Sequence, residues 1–447
     1  MLPDPYPVRP WTAPCQGEIR LPGSKSLTNR ALVLAALSDG VVQLEGALFS
    51  RDTRILIDGL TALGFSVQAN ENQECITVAG QGGCIPKAAA RLFVGNAGTA
   101  ARFLTALVCL HPNGRFTFDG DEEMRKRPMA GLIESLEALG ARFSFAGEPG
   151  CFPFEVKTAG LPVSDWQVDA SASSQMLSAL MMVAQPVSGT VKIKASGVRP
   201  AFVEMTAGLM RQFGSDIKGS PEEGYLVRGQ ASYRSPAAQV FQIEPDVSAA
   251  SYFMILPAVT GGYLKLAGLR RDMLQGDLAF AGVLESIGMQ VEEDSSGWLV
   301  RFAGFHSGSA REFNFETFSD TFLTLAAVAP LLPFPVRITG IGHTRHQETD
   351  RIRAMATELA RLGARVGEEA AALGVDPFPA GFSPPIDPVT IQTYRDHRVA
   401  MSFAILACSS RFGSSPWLRI ADPACCGKTF PGFFRELEKL YHISHDK

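Results

Sequence analysis

The chain has 447 residues, 46% hydrophobic and 19% charged, with a formal net charge of −4. That length exceeds what a single hydrophobic core usually spans, so two or more domains are expected. The acidic balance argues against a phosphate-backbone binder, and no apolar run of about 18 residues is present to cross a bilayer.

The opening stretch, MLPDPYPVRPWTAPC, lacks the apolar segment of a signal peptide, so a cytoplasmic protein is expected. Eight cysteines are scattered among apolar neighbours with no C-x-x-C pair, which argues against a zinc site or a disulfide framework. His343 and His346 stand three apart, but no carboxylate or cysteine accompanies them in register, so no metal site is expected.

From Leu21 the chain reads LPGSKSLTNRALVLAAL, in which small polar residues, a lysine and an arginine lead into an apolar helix. The phrase returns as GNAGTAARFLTALV, SASSQMLSALMMVA, PDVSAASYFMILPA, SDTFLTLAAVAP and YRDHRVAMSFAILA. Each helix is apolar almost all round, the pattern of a buried helix. Between them, LIDGLTALGFSV, LIESLEALGARFSF, AGLMRQFGSDI, FAGVLESIGMQVEE and MATELARLGARVGE predict amphipathic helices that stop at a glycine. Those glycines, Gly64, Gly140, Gly214, Gly288 and Gly363, are spaced 76, 74, 74 and 75 residues apart. FFRELEKLYHI is a sixth copy, with Tyr441 in the glycine's place. Short β-like runs such as FTFDG, GTVKIKA, GYLKLAG and PVRITG complete the unit. Six such units predict an α/β fold of two domains with three units each.

A helix N-terminus carries unpaired N–H groups and a partial positive charge, which suits an anion. Beside the six starts stand Lys25, Ser26 and Arg30; Asn96, Gly98, Thr99 and Arg102; Ser173, Ser174 and Gln175; Asp246 and Ser248; Asp320; and Asp396, His397 and Arg398. The serines, asparagine and aspartates are also ordinary N-caps. The cations are not explained that way, because they oppose the helix dipole; a shared anionic ligand resolves the conflict. Arg127, Arg351 and Lys428 add cations in loops, where each taken alone also reads as a solvated charge. Asp320 and Glu348 cannot simply bind anions and are better suited to proton transfer. GSKS looks like the end of an ATP-binding P-loop, but Ile19 and Ser24 occupy the positions where that motif needs glycine.

Taken together and in order, LPGSKSLTNRALVLAAL, GNAGTAARF, KRPM, ASSQ, EPDVSAASYF, QETDR, YRDHRVAM and GKTFP resemble the EPSP synthase (5-enolpyruvylshikimate-3-phosphate synthase) family from end to end. The resemblance implies two similar domains, each of three βαβαββ repeats around buried helices, the inside-out α/β barrel of the enolpyruvyl transferases. Domain one would hold residues 1–20 plus 247–447 and domain two residues 21–246, with the active site in the cleft between them. The implied reaction transfers the enolpyruvyl group of phosphoenolpyruvate (PEP) to the 5-hydroxyl of shikimate 3-phosphate, releasing phosphate. It belongs to chorismate and aromatic amino-acid biosynthesis and is the target of glyphosate.

By the same resemblance, Asp320 would be the base on the hydroxyl and Glu348 the acid at C3 of PEP, with Lys25 sharing the first role. Shikimate 3-phosphate would meet Lys25, Ser26, Arg30, Ser173, Ser174, Gln175, Asp320, His343 and Gln347. PEP would meet Lys25, Asn96, Gly98, Arg127, Gln175, Arg351, Arg398 and Lys428. Neither cofactor nor metal is implied, nor a nucleic-acid or membrane partner, and a monomer is expected.

Three features depart from the family pattern. Gln347 replaces the usual lysine and His343 a common asparagine, which predicts weaker or more pH-dependent binding of shikimate 3-phosphate. Residues 198–202, VRPAF, replace a Ser-Arg/Lys-Pro-Tyr stretch, and Phe103 replaces a common proline beside the PEP site. Two other readings compete. A UDP-N-acetylglucosamine enolpyruvyl transferase usually carries a cysteine in the loop FDGDEEMRKRPM, which has none here. A catalytically silent anion-binding relative would not need Lys25, Asp320, Glu348, Arg351 and Lys428 together.

Overall fold

The computed structural model describes residues 2–384 and 386–446. Six inner helices alternate with six outer ones along these residues. The inner helices are α1 (Lys25–Ala36), α3 (Gly98–Val108), α5 (Ser174–Ala184), α7 (Val247–Thr260), α9 (Phe322–Val328) and α11 (His397–Ala407). The outer ones are α2 (Arg51–Ala62), α4 (Ala130–Ala138), α6 (Pro200–Gln212), α8 (Phe280–Ile287), α10 (Arg351–Arg361) and α12 (Phe433–His445).

Sequence chemistry accounts for both classes. Every residue of α3, α9 and α11 is buried, as their apolar circumference requires. Burying one leucine or phenylalanine of these helices contributes about 2 kcal/mol. Four inner helices, α1, α5, α7 and α11, are capped by side chains: Ser24, Ser173, Asp246 and Asp396 accept from the N–H groups of Leu27, Gln175, Ala249 and Arg398. The outer helix α2 opens with a capping box between Ser50 and Thr53. The five marker glycines all have left-handed φ values, between +80° and +110°, so each ends its helix where a side chain would be strained.

One strand pattern recurs. Ala89–Phe93 runs parallel to Gly114–Asp119 with α3 as the crossover, and α4 then leads into the antiparallel strands Arg142–Phe145 and Phe154–Thr158. This is the βαβαββ order expected of each repeat. The same parallel pairing brackets α5, α9 and α11. Two sheets take their parallel partner from far along the chain: Val240–Gln242 beside Val41–Glu45, and Glu18–Arg20 beside Tyr263–Ala267. Among the described residues, five sheets have four strands and a sixth has three, one of them Tyr6–Pro7.

The chain divides into two compact units, Gly23–Glu244 and Met1–Pro22 with Pro245–Lys447. In the first, α3 packs on α5 and touches α1; in the second, α7, α9 and α11 pack on one another. No helix of the described residues is long and apolar enough to cross a membrane.

Candidate active site

In the unit that holds Pro245–Lys447, Arg351 is the hub. It is the first residue of α10, after Asp350 has capped that helix by accepting from the Arg353 N–H. Its side chain is 2% exposed, yet the whole guanidinium fork is used. Nε donates to Asp396 Oδ2 at 2.8 Å, Nη1 to Asp320 Oδ1 at 2.9 Å and Nη2 to Glu348 Oε2 at 3.0 Å. Gln347 Oε1 also accepts from Nη1. Arg398 Nη2 meets the other oxygen of Asp320 at 2.7 Å, and Lys428 Nζ the other oxygen of Glu348 at 2.8 Å. Each of the two carboxylates therefore bridges two cations. Burial works against the charge on Arg351, but Asp396, Glu348 and Asp320 outweigh it and hold the guanidinium above its ordinary range. Arg398 is likewise opposed by burial and held charged, chiefly by Asp320.

Backbone turns aim these groups. Asp320 lies on the 3₁₀ turn Ser319–Thr321 that leads into α9. His343, on the neighbouring turn Gly342–His346, has Nε2 2.8 Å from Ser319 Oγ, which ties the two turns together. Asp396 serves twice, capping α11 through the Arg398 N–H at 2.8 Å and fixing Arg351. Asp277 is buried nearby, with Oδ2 accepting from Ser248 Oγ at 2.6 Å and Oδ1 buried without a hydrogen-bond partner. Burial, followed by the charge of Asp320, pushes its carboxyl up to about 7.

In the unit Gly23–Glu244, Lys25 is the first residue of α1, and its Nζ lies 3.7 Å from Asp52 Oδ2. Ser26 sits in the same turn and offers its carbonyl to Arg30 Nη1 at 3.1 Å. Arg30 is a core residue, 1% exposed. Its Nε donates to Thr206 Oγ1 at 2.7 Å, and Nη2 to Ser178 Oγ and the Phe202 carbonyl, each at 3.3 Å. The guanidinium lies over the rings of Phe103 and Phe202, 5.3 and 5.9 Å from their centroids. Burial pulls its pKa down to about 9, which leaves it charged at neutral pH.

A second cluster forms at the starts of α3 and α5. Arg127 Nη1 donates to Asn96 Oδ1 at 3.4 Å. Gln175 Oε1 accepts from Arg102 Nη1 at 3.0 Å, and its Nε2 donates to Thr99 Oγ1 at 3.2 Å. A Cβ on Gly98 would stand 2.8 Å from Arg102 Nη1 and 3.0 Å from Arg127 Nη1, so glycine lets both guanidiniums close over this helix start. Ser173 caps α5, while Ser174 Oγ exchanges hydrogen bonds with the backbone of Arg199. The divergent stretch 198–202 thus packs inward, with Phe202 against Arg30.

The structure brings together Asp320, Gln347, Glu348, Arg351, Arg398 and Lys428, with His343 one turn away, and separately Asn96, Gly98, Arg127 and Gln175. Sequence reasoning missed Asp52, Asp277 and Ser319 as neighbours of these groups. No local pattern marks them, because each finds its partner through folding. Asp396 and Arg102 were visible as helix-start residues but not as the anchors of Arg351 and Gln175. Among the described residues, no group of three or more His, Cys, Asp or Glu side chains is placed to hold a metal ion.

Three cations held against two carboxylates suit a small polyanion that competes for the cations and leaves the carboxylates to move protons. Known proteins are similar to this chain in sequence and in fold. A protein of Opitutus terrae named 3-phosphoshikimate 1-carboxyvinyltransferase is 49% identical over 444 residues, 98% of each chain. One of the same name from Trichormus variabilis is 38% identical over 429 residues, covering 96% of this chain and 97% of its own. In fold, the EPSP synthase of Acinetobacter baumannii superposes with a TM-score of 0.79 at 22% identity, with 97% of each chain covered. The enolpyruvyl transferase NikO of Streptomyces tendae superposes at 0.72 with 17% identity, over 97% of this chain and 96% of its own. Residues 11–437 match the EPSP synthase family as a whole, so the chain belongs to the EPSP synthase (3-phosphoshikimate 1-carboxyvinyltransferase) family.

Proposed function

We propose that this chain transfers the enolpyruvyl group of PEP to the 5-hydroxyl of shikimate 3-phosphate, in the cytoplasm. The observation that carries the reading is Arg351, which touches both Asp320 and Glu348 while Arg398 and Lys428 hold the far oxygens of the same two carboxylates. In this reading Arg351, Arg398 and Lys428, with Asn96, Gly98, Arg127 and Gln175, take PEP. Ser26, Arg30, Ser173, Ser174, Gln175, His343 and Gln347 take shikimate 3-phosphate, and Lys25 serves both.

The chemistry follows from the charges. The phosphate and carboxylate of PEP draw Arg351, Arg398 and Lys428 toward themselves, which weakens the positive field at Asp320 and Glu348. Glu348 is then better able to carry a proton and deliver it to C3, and Asp320 to accept one from the 5-hydroxyl as its oxygen attacks C2. The resulting tetrahedral intermediate expels phosphate by breaking the bond from C2 to the phosphate oxygen, and the new methyl group gives its proton back. Fixed guanidinium and ammonium groups stabilise the charge that develops on phosphate.

The deciding assay is phosphate release with PEP plus shikimate 3-phosphate, beside PEP plus UDP-N-acetylglucosamine. Release only with the former, lost in Asp320→Ala and Glu348→Gln, is the expected result. Release only with the sugar nucleotide would assign a different acceptor. Silence with both, in folded protein that still binds shikimate 3-phosphate, would point to a silent relative.

A further inference from the structure

A second layer of contacts lies behind the cation hub, on the same helix. Glu358 falls seven residues, or two turns, after Arg351 on α10, so both side chains issue from one face. Its side chain is 1% exposed. Oε1 accepts from the Tyr394 hydroxyl at 2.8 Å, and Oε2 from the Gln392 N–H at 3.1 Å. Arg361, one turn further along α10, balances the charge on Glu358 and donates through Nη2 to the Thr390 carbonyl at 3.1 Å. Residues 390, 392 and 394 thus hang on one buried carboxylate and its arginine.

The segment held in this way is strained. Tyr394 and Arg395 have φ of +53° and +58°, two consecutive non-glycine residues in the left-handed region. The next residue is Asp396, which caps α11 and fixes Arg351 Nε; two further on, Arg398 reaches Asp320. The Asp396 N–H also closes this turn, donating to the Thr393 carbonyl at 2.8 Å, while neither a tyrosine nor an arginine favours left-handed angles by itself.

We infer that Glu358 is a positioning residue for the PEP pocket: through Tyr394 and Gln392 it holds a left-handed turn that presents Asp396 and Arg398 to Arg351 and Asp320. The inference rests on the reading that Arg351 and Arg398 bind PEP. Glu358 itself touches none of the proposed substrate groups. One helix thus supplies both the arginine at its start and, two turns later, the brace for the loop that delivers that arginine's partner.

The test is steady-state kinetics of Glu358→Ala, Tyr394→Phe and the double variant Glu358→Ala/Tyr394→Gly, with folding checked by thermal denaturation. In Glu358→Ala, KM for PEP is expected to rise about tenfold while KM for shikimate 3-phosphate stays within about twofold, since small misplacements of binding groups are costly. Tyr394→Phe removes one hydroxyl from a half-exposed side chain and should raise KM for PEP about threefold in stably folded protein. Glycine at 394 makes the turn permissible without its brace, so the double variant should recover most of the PEP affinity. A purely structural role for Glu358 gives no such recovery. An unmoved KM for PEP in Tyr394→Phe, or equal rises in both KM values without recovery, overturns the inference. Arg398→Lys separates the two levels. If it leaves KM for PEP unchanged, the pocket reading fails and the brace with it; if it raises KM while Glu358→Ala does not, the brace alone fails.

Discussion

Arg351 Nε and Asp396 Oδ2 lie 2.8 Å apart across 45 residues of sequence, and both side chains are closed off from solvent. The contact fixes the plane of the guanidinium, so Nη1 points at Asp320 and Gln347, and Nη2 at Glu348 and, at 3.5 Å, at Asp396 Oδ1. Removing the charge at Asp396 leaves Arg351 buried with less compensation, while an asparagine oxygen can still cap α11. Asp396→Asn should therefore destabilise the protein by about 3 kcal/mol, the usual cost of breaking a buried pair, and raise KM for PEP. Thermal denaturation and steady-state kinetics on the same preparation check both; a variant with unchanged melting temperature and KM would show the pair to be idle.

Gly98 makes the opposite kind of prediction, in which adding atoms does the harm. A methyl group there meets Arg102 Nη1 at 2.8 Å and Arg127 Nη1 at 3.0 Å, both ends of flexible side chains that can yield. Gly98→Ala should fold normally, lose less than about 1 kcal/mol of stability, and raise KM for PEP with little change for shikimate 3-phosphate. Equal effects on both substrates would contradict the assignment of this cluster to PEP.

Gln347 spends its amide oxygen on Arg351, which leaves its NH₂ group for a substrate. A lysine offers no acceptor but restores a charge-assisted contact to a phosphate. We expect Gln347→Lys to lower KM for shikimate 3-phosphate. An unchanged KM would remove Gln347 from the phosphate site.

Asp277 links pH to stability. Its folded carboxyl titrates near about 7, whereas an unfolded aspartate titrates near about 3.9. Between those values the folded state holds the extra proton, so stability present at low pH is lost as pH rises from about 4 to about 7. The groups that set this are burial first, then the charge of Asp320, with Ser248 and Arg398 opposing and Asp246 adding. Asp277→Asn still accepts from Ser248 and removes the titration. Its melting temperature should fall less than that of the wild type between about pH 5 and about pH 8. Parallel curves for the two proteins would show that Asp277 stays ionised.

The fold was legible because its signals are local and repeated. A glycine that stops an amphipathic helix, and a polar start before an apolar one, report on burial within a dozen residues and recur with each repeat. The pairing of Val240–Gln242 with Val41–Glu45 carries no such mark, since a three-residue strand has no period to read. The cations of the site were visible as charges placed against a helix dipole. Their partners were not: Lys25 lies near Asp52, Arg398 reaches Asp320, and Arg351 is gripped by Asp396. Arg30 is the sharpest case. A charge at a helix start reads as a ligand group, and four donated hydrogen bonds and two aromatic rings also build this one into its unit. Only the side chains of Thr206, Ser178 and Phe202, distant in sequence, reveal that.

The pairing of Glu18–Arg20 with Tyr263–Ala267 also constrains how the chain is made. A ribosome adding about 5 to 20 residues per second needs on the order of ten to fifty seconds between those two strands. Meanwhile Val240–Gln242 emerges and completes the last sheet of Gly23–Glu244, which then has every strand it needs. The continuous unit can therefore assemble during synthesis, while the amino-terminal strand stays unpaired until the later half of the polypeptide arrives.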